Sequence, residues 1–186
     1  MKCTELVFQD HATIRRGLDI LESIVAKLEQ GERIEIADAI TVLKFIRIFG
    51  LDYHQSIEQH VLFPALPESR IEDLVFEHDE HRSLINAIDE ALSTKRGLEF
   101  VRRSRGFIAL LRNHLNREDV ILRNFPEDWL SVEQDEAVVS EFAKRPMPPE
   151  QYRSLSRLEW KYGTRPHAKT EIPGQELARA RGSVMG

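Results

Sequence analysis

Two pairs of residues stand out by type and spacing: His54 with Glu58, and His114 with Glu118. Four positions along an α-helix turn a side chain through about 40°, so each pair shares one face, one turn apart. An imidazole nitrogen and a carboxylate oxygen held in that way are what a single helix can offer a metal ion. The neighbours on each face are apolar: Ile57 and Val61 beside the first pair, Leu111 and Leu122 beside the second. A glutamate on a buried apolar stripe is costly unless a cation or a proton donor meets it. Two such costs, at matching places on two helices, point to a shared cation.

An internal repeat extends the set. Around His11 the chain reads QDHATIRRGLDIL, and around His78 it reads FEHDEHRSLINAI. Aligning the two histidines pairs Asp10 with Glu77, Arg15 with Arg82, Leu18 with Ile85 and Leu21 with Ile88. The chain therefore reads twice as a lone histidine followed by His-x-x-x-Glu, which gives His11, His54, Glu58, His78, His114 and Glu118 as candidate metal ligands. Four imidazoles and two carboxylates able to bridge suit two first-row metal ions, with iron favoured and manganese or zinc compatible by ligand type. His81 lies about 60° from His78 on the same face, a candidate for a fifth ligand or for a group bonded behind the ligands. Asp119, directly after Glu118, is a candidate substitute ligand, whereas Glu58 is followed by the neutral Gln59 and has no spare carboxylate beside it. His60 falls about 240° from His54 and is expected on the surface, and His167 sits in a polar tail.

The elements that must carry these residues are helical. From Leu6 the positions Phe8, His11, Ile14, Leu18, Leu21, Val25 and Leu28 step by three or four until Gly31. A second stretch runs from about Ile36 to Phe63 through Ile40, Leu43, Ile46, Gly50 and Ile57, and the prolines of PALPES close it. A third covers Ile71 to about Leu92, and a fourth Leu98 to about Phe125, ending before Pro126. Four amphipathic stretches with short connections predict an all-α protein, an antiparallel up-down four-helix bundle whose inward faces bring the six side chains to one point. Ser131-Val132-Glu133-Gln134 has the form of a capping box and opens a shorter helix to about Lys144. We therefore divide the chain into a bundle with its following helix, 1–145, and a C-terminal helical extension with a polar tail, 146–186. In the extension, Tyr152, Leu155, Leu158, Trp160 and Tyr162 are expected to dock on the bundle. Trp160, Tyr162, Arg179 and Arg181 also offer a contact surface for a second copy of the chain, a homodimer through the extension.

Composition narrows the classes of function. The chain has 186 residues with 26 Lys+Arg against 31 Asp+Glu, a net charge of −5, which argues against a phosphate-backbone binder and so against nucleic acid as partner. The single cysteine, Cys3, cannot form an internal disulfide and is expected in a fraying terminus, unsuited to a Cys-His catalytic pair. The opening MKCTELVFQD lacks the apolar core of a signal peptide, and no apolar run approaches the ~20 residues needed to span a bilayer. These features predict a cytoplasmic protein without a membrane partner.

The segments QDHATIR, HQSIEQHVLFPAL, FEHDEHR and HLNRED, which hold His11, His54, His78 and His114, resemble the hemerythrin-like, or HHE cation-binding, family over about residues 5–145. The resemblance implies a bridged non-haem di-iron centre in a four-helix bundle, with the four histidines as nitrogen ligands and Glu58 and Glu118 as bridging carboxylates. The oxygen carriers of that family place two histidines four apart on the third helix and an aspartate on the fourth. Here His78 and His81 are three apart, and Glu118 precedes Asp119. A four-His, two-Glu set is closer to the bacterial members linked to nitric oxide and oxidative stress. The expected function is binding or sensing of a small ligand such as dioxygen, nitric oxide or peroxide, with iron storage or delivery as a further role. Two readings stand beside it: a di-iron reductase or cluster-repair enzyme, and a helical interaction protein with a structural metal.

Overall fold

The computed structural model describes residues 2–66, 71–126, 129–144 and 149–164. Pro67, His167, Arg179, Arg181 and the tail from 165 onward, all invoked above, lie outside the described residues. Among those described there is no strand, and no helix is long and apolar enough to cross a membrane.

α1 runs over Lys2–Glu29, starting earlier than the apolar pattern suggested. Gly31 adopts a left-handed backbone (φ +76°), and the N–H groups of Gly31 and Glu32 donate to the carbonyls of Leu28 and Lys27, closing the last turn. The second rod, residues 36–65, begins as α2 (Ile36–Phe45). Its winding widens to π over Ile46–His54, returns to α over Gln55–Ile57, widens again over Glu58–Leu62 and tightens to a 3₁₀ turn at Phe63–Ala65. α3 (Glu72–Ser93) and α4 (Gly97–Arg123) are joined by three residues, so they run antiparallel. At this connection Lys95 takes the left-handed conformation (φ 57°) that Gly31 fills after α1.

Two apolar clusters lie along the four rods, with the candidate ligands between them. One contains Cys3, Val7, Ile57, Leu62, Leu74 and Leu122, and the other Leu18, Leu43, Ile46, Ile85, Ile88 and Leu111. α1 and α3 pass from the first cluster to the second, while the second rod and α4 pass the other way. Close approach of α1 and the second rod depends on Gly17, where an added Cβ would sit 2.8 Å from the Phe45 ring. Ile36 and Ile40, read above as part of the buried stripe, are exposed instead (54% and 53%). The inward face of α2 is carried by Ala39 and Val42 together with Leu43, the one α2 member of the expected stripe that is buried.

α5 (Val132–Lys144) opens with the capping box that was expected. The Ser131 N–H donates to Gln134 Oε1 at 2.8 Å, and the Gln134 N–H donates back to Ser131 Oγ at 3.3 Å. Asp135 of this helix accepts the backbone N–H groups of Lys2 and Cys3, both at 3.0 Å, and so caps α1. Cys3 is thus not frayed: it is fully buried in the first turn, where burial and then Asp135 push its thiol up to about 12.

α6 (Pro149–Tyr162) docks through buried Leu155, Leu158 and Tyr162. Arg16 of α1 donates twice to Glu159, at 2.6 and 2.8 Å, and Tyr162 and Lys161 donate to the buried Asp38 of α2 at 3.0 and 2.5 Å. Trp160 does not dock: it is 89% exposed, while Tyr162 is committed to its own chain.

Candidate metal centre

The layer between the two apolar clusters holds His11 from α1, His54 and Glu58 from the second rod, His78 and His81 from α3, and His114 and Glu118 from α4, all essentially inaccessible to solvent. His54 ends one widened stretch of helix and Glu58 begins the next, so the departure from α winding falls at the two residues that must be aimed. Their nitrogen and oxygen atoms converge. His11 Nε2 lies 3.5 Å from Glu58 Oε1 and 3.4 Å from Glu118 Oε2, and His54 Nε2 lies 2.7 Å from Glu58 Oε1. Across the layer, His78 Nε2 is 3.6 Å from Glu58 Oε2 and 3.2 Å from His114 Nε2, which is 3.5 Å from Glu118 Oε2. Two groups emerge whose ligand atoms all lie within 4.8 Å of one another: His11, His54, Glu58 and Glu118, and then Glu58, His78 and His114. Glu58 belongs to both.

Behind the inward nitrogens stand carboxylates. Asp119 Oδ1 accepts from His11 Nδ1 at 2.6 Å, Asp10 Oδ2 from His54 Nδ1 at 3.2 Å and Glu77 Oε2 from His114 Nδ1 at 2.7 Å. Arg15 holds Asp119 at 2.8 Å, and Arg117 pairs with Glu77. A carboxylate on Nδ1 fixes the tautomer and leaves the Nε2 lone pair pointing inward, as a metal-binding imidazole requires. Asp119, offered above as a substitute ligand, occupies this supporting place.

Six of the inward atoms lack hydrogen-bond partners among the described residues. His11 Nε2, His54 Nε2 and both carboxylate oxygens of Glu58 and Glu118 are buried and unsatisfied. Leaving one such group unpaired costs about 1–3 kcal/mol, and more when it is charged. These six buried atoms of nitrogen and carboxylate type come from four side chains whose ligand atoms lie within 4.8 Å of one another, a set that fits a bound cation.

Electrostatics separates the two halves. Burial opposes charge on His11, yet Asp119, Glu118 and Glu58 outweigh it and hold the imidazole well above the ordinary histidine value. At His54 burial is likewise overcome, by Glu58 and Asp10, and the value rises to about 9. Against its own burial, Glu58 is held well below the carboxylate range by His54 and His11, whereas Glu118 is pushed up by burial and by the charge of Glu58. His78 falls to about 3 and His81 to about 2, burial leading in each case.

A model of the hemerythrin HHE cation-binding domain matches residues 4–124, about two thirds of the chain. This chain belongs to the hemerythrin HHE family. Every residue of the buried layer falls inside the matched segment, and α5 and α6 lie beyond it. No curated protein and no solved structure matches the chain. The HHE match makes this a cation-binding domain, and the His/Glu cluster supplies a place to bind the cation.

The remaining sequence expectations divide in two. His60 is exposed and, among the described residues, bonds to Ser56. His81 sits in the layer but outside both groups: its Nδ1 is 2.9 Å from Gln55 Nε2, its ring lies 4.8 Å from that of His114, and its Nε2 has no partner. Gln55, Asp10 and Glu77 were given no role from sequence. The repeat had paired Asp10 with Glu77, each directly before a histidine, and that was a usable signal. Each supports the paired histidine of the following rod, which only packing reveals.

Proposed function

We propose that this HHE protein is an antiparallel up-down four-helix bundle, extended by two C-terminal helices, that holds two iron ions and uses them to bind or sense a small ligand. The alternating order in which the four rods cross the two apolar clusters supports the topology. The observation that carries the di-iron reading is Glu58, whose two oxygens face His11 and His54 on one side and His78 on the other. Its carboxylate is placed to bridge, and Glu118, which faces both His11 and His114, is its counterpart. Bound iron would supply electrons and an open coordination position for dioxygen, nitric oxide or peroxide.

The chain's own residues set the conditions for that chemistry. Ile14, Leu18, Ile85 and Leu111 belong to one flanking apolar cluster and Ile57 to the other, and the layer between them is closed to water, which favours binding over uncontrolled oxidation. Asp10, Asp119 and Glu77 orient the imidazoles and increase their basicity. The test is elemental analysis of iron-loaded protein together with optical spectra in the presence and absence of oxygen, azide and nitric oxide. Two irons per chain and ligand-dependent charge-transfer bands are expected. One ion or none, or spectra indifferent to all three ligands, would overturn the proposal.

A further inference from the structure

The repeat in the chain gives the buried layer an approximate two-fold relation, under which α1 maps onto α3 and the second rod onto α4. The supporting carboxylates test how well it holds. Asp10 of α1 bonds His54 of the next rod, and its counterpart Glu77 of α3 bonds His114 of the next. Asp119 of α4 bonds His11, so the residue that should bond His78 is the one aligned with Asp119, directly after Glu58. That residue is Gln59.

The relation breaks there. Among the described residues His78 Nδ1 is buried without a hydrogen-bond partner, and Phe63 stacks on the ring at 5.6 Å. The matched arginines part company as well. Arg15 is tied to Asp119 at 2.8 Å, while Arg82 turns to Asp79 and to the Leu51 carbonyl, each at 3.4 Å. His81 offers no substitute, since it is bonded to the side chain of Gln55 rather than to a carboxylate.

We propose that the two metal positions are unequal by construction: the His11–His54 position is the tight one and fills first, and the His78–His114 position is the labile one, with the residue pair Asp119 and Gln59 setting the difference. The inference rests on the two-metal reading above. A carboxylate behind a ligating imidazole contributes about 10–100-fold in metal affinity. The tight position has two such carboxylates and the labile one has only Glu77.

Titration of the metal-free full chain with Co²⁺ against a competing chelator, followed by absorption, measures this directly. The wild type should bind two ions in two steps about 10–100-fold apart. The first equivalent should shift the Nδ1–H resonances of His11 and His54 before that of His114. Asp119→Asn should weaken the first step by the same factor and draw the steps together. Gln59→Asp, at a half-buried position, should tighten the second step, and it probes the same point should Asp119→Asn fail to fold. Two ions bound with equal affinity, or a first ion that shifts His114 first, overturns the inference while leaving the two-metal reading intact. Fewer than two ions bound by the wild type defeats that reading itself.

Discussion

Glu58 shows what a single residue carries in this layer. Its two oxygens are buried, lack hydrogen bonds and face histidines from three different rods. Glu58→Ala should therefore cost at least one metal ion per chain and lower the melting temperature of the loaded protein, and His114→Ala should do the same. His60→Ala, at an exposed position bonded to Ser56 outside the layer, should leave metal content and melting temperature unchanged. Metal analysis and thermal melts of the three variants, run side by side, check the assignment; equal metal content in all three would defeat it. Sequence alone reached these ligand candidates because His-x-x-x-Glu spacing is a local property of a helix. It could not rank Asp119, since whether a carboxylate points at the metal or at the back of an imidazole depends on a rod more than a hundred residues away.

Among the elements, the second rod and α6 make the sharpest demands. Gly17 lets α1 lie against the Phe45 ring, and a methyl group there would meet ring carbons at 2.8 and 2.9 Å. Gly17→Ala should destabilise the fold by about 1–3 kcal/mol, as overpacking does, measurable by denaturant unfolding. α6 hangs on Asp38. Burial opposes the charge of this carboxylate, but Lys161 and Tyr162 prevail and hold it below its ordinary 3.8. A lowered carboxylate stabilises the docked helix above pH 3.8, and that contribution disappears as the pH falls through the folded value. Acid should accordingly release α6, and Asp38→Asn should mimic acid at neutral pH with a loss of about 1–3 kcal/mol. Hydrogen exchange of 149–162 reads both. Exchange unchanged by the substitution would mean that Leu155, Leu158 and the Arg16–Glu159 pair hold the helix without Asp38.

For the whole molecule, the buried layer is a liability until it is filled. Facing carboxylates and imidazoles divide what would otherwise be one continuous apolar core. A cation that binds only the folded chain stabilises it by about 2.7 kcal/mol at a hundred times its dissociation constant. For a chain of this size that corresponds to a rise of roughly 5–10 °C in melting temperature. Melts before and after chelation should show this shift and its reversal on adding metal back. Coincident melts would mean that the layer is satisfied without a cation.

The sequence by itself determined the helical class, the four rods and the inward histidines and glutamates, because apolar spacing and i,i+4 pairing are written within single helices. Its capping box at Ser131–Gln134 was equally local. Only the tertiary structure decided the rest. Ile36 and Ile40 face outward while Ala39 and Val42 face the core, Asp135 from α5 caps the buried Cys3, and Tyr162 turns inward while Trp160 does not. Each of these depends on where a distant rod supplies a partner, and a pattern of period 3.6 within one helix holds no information about the direction from which that partner arrives.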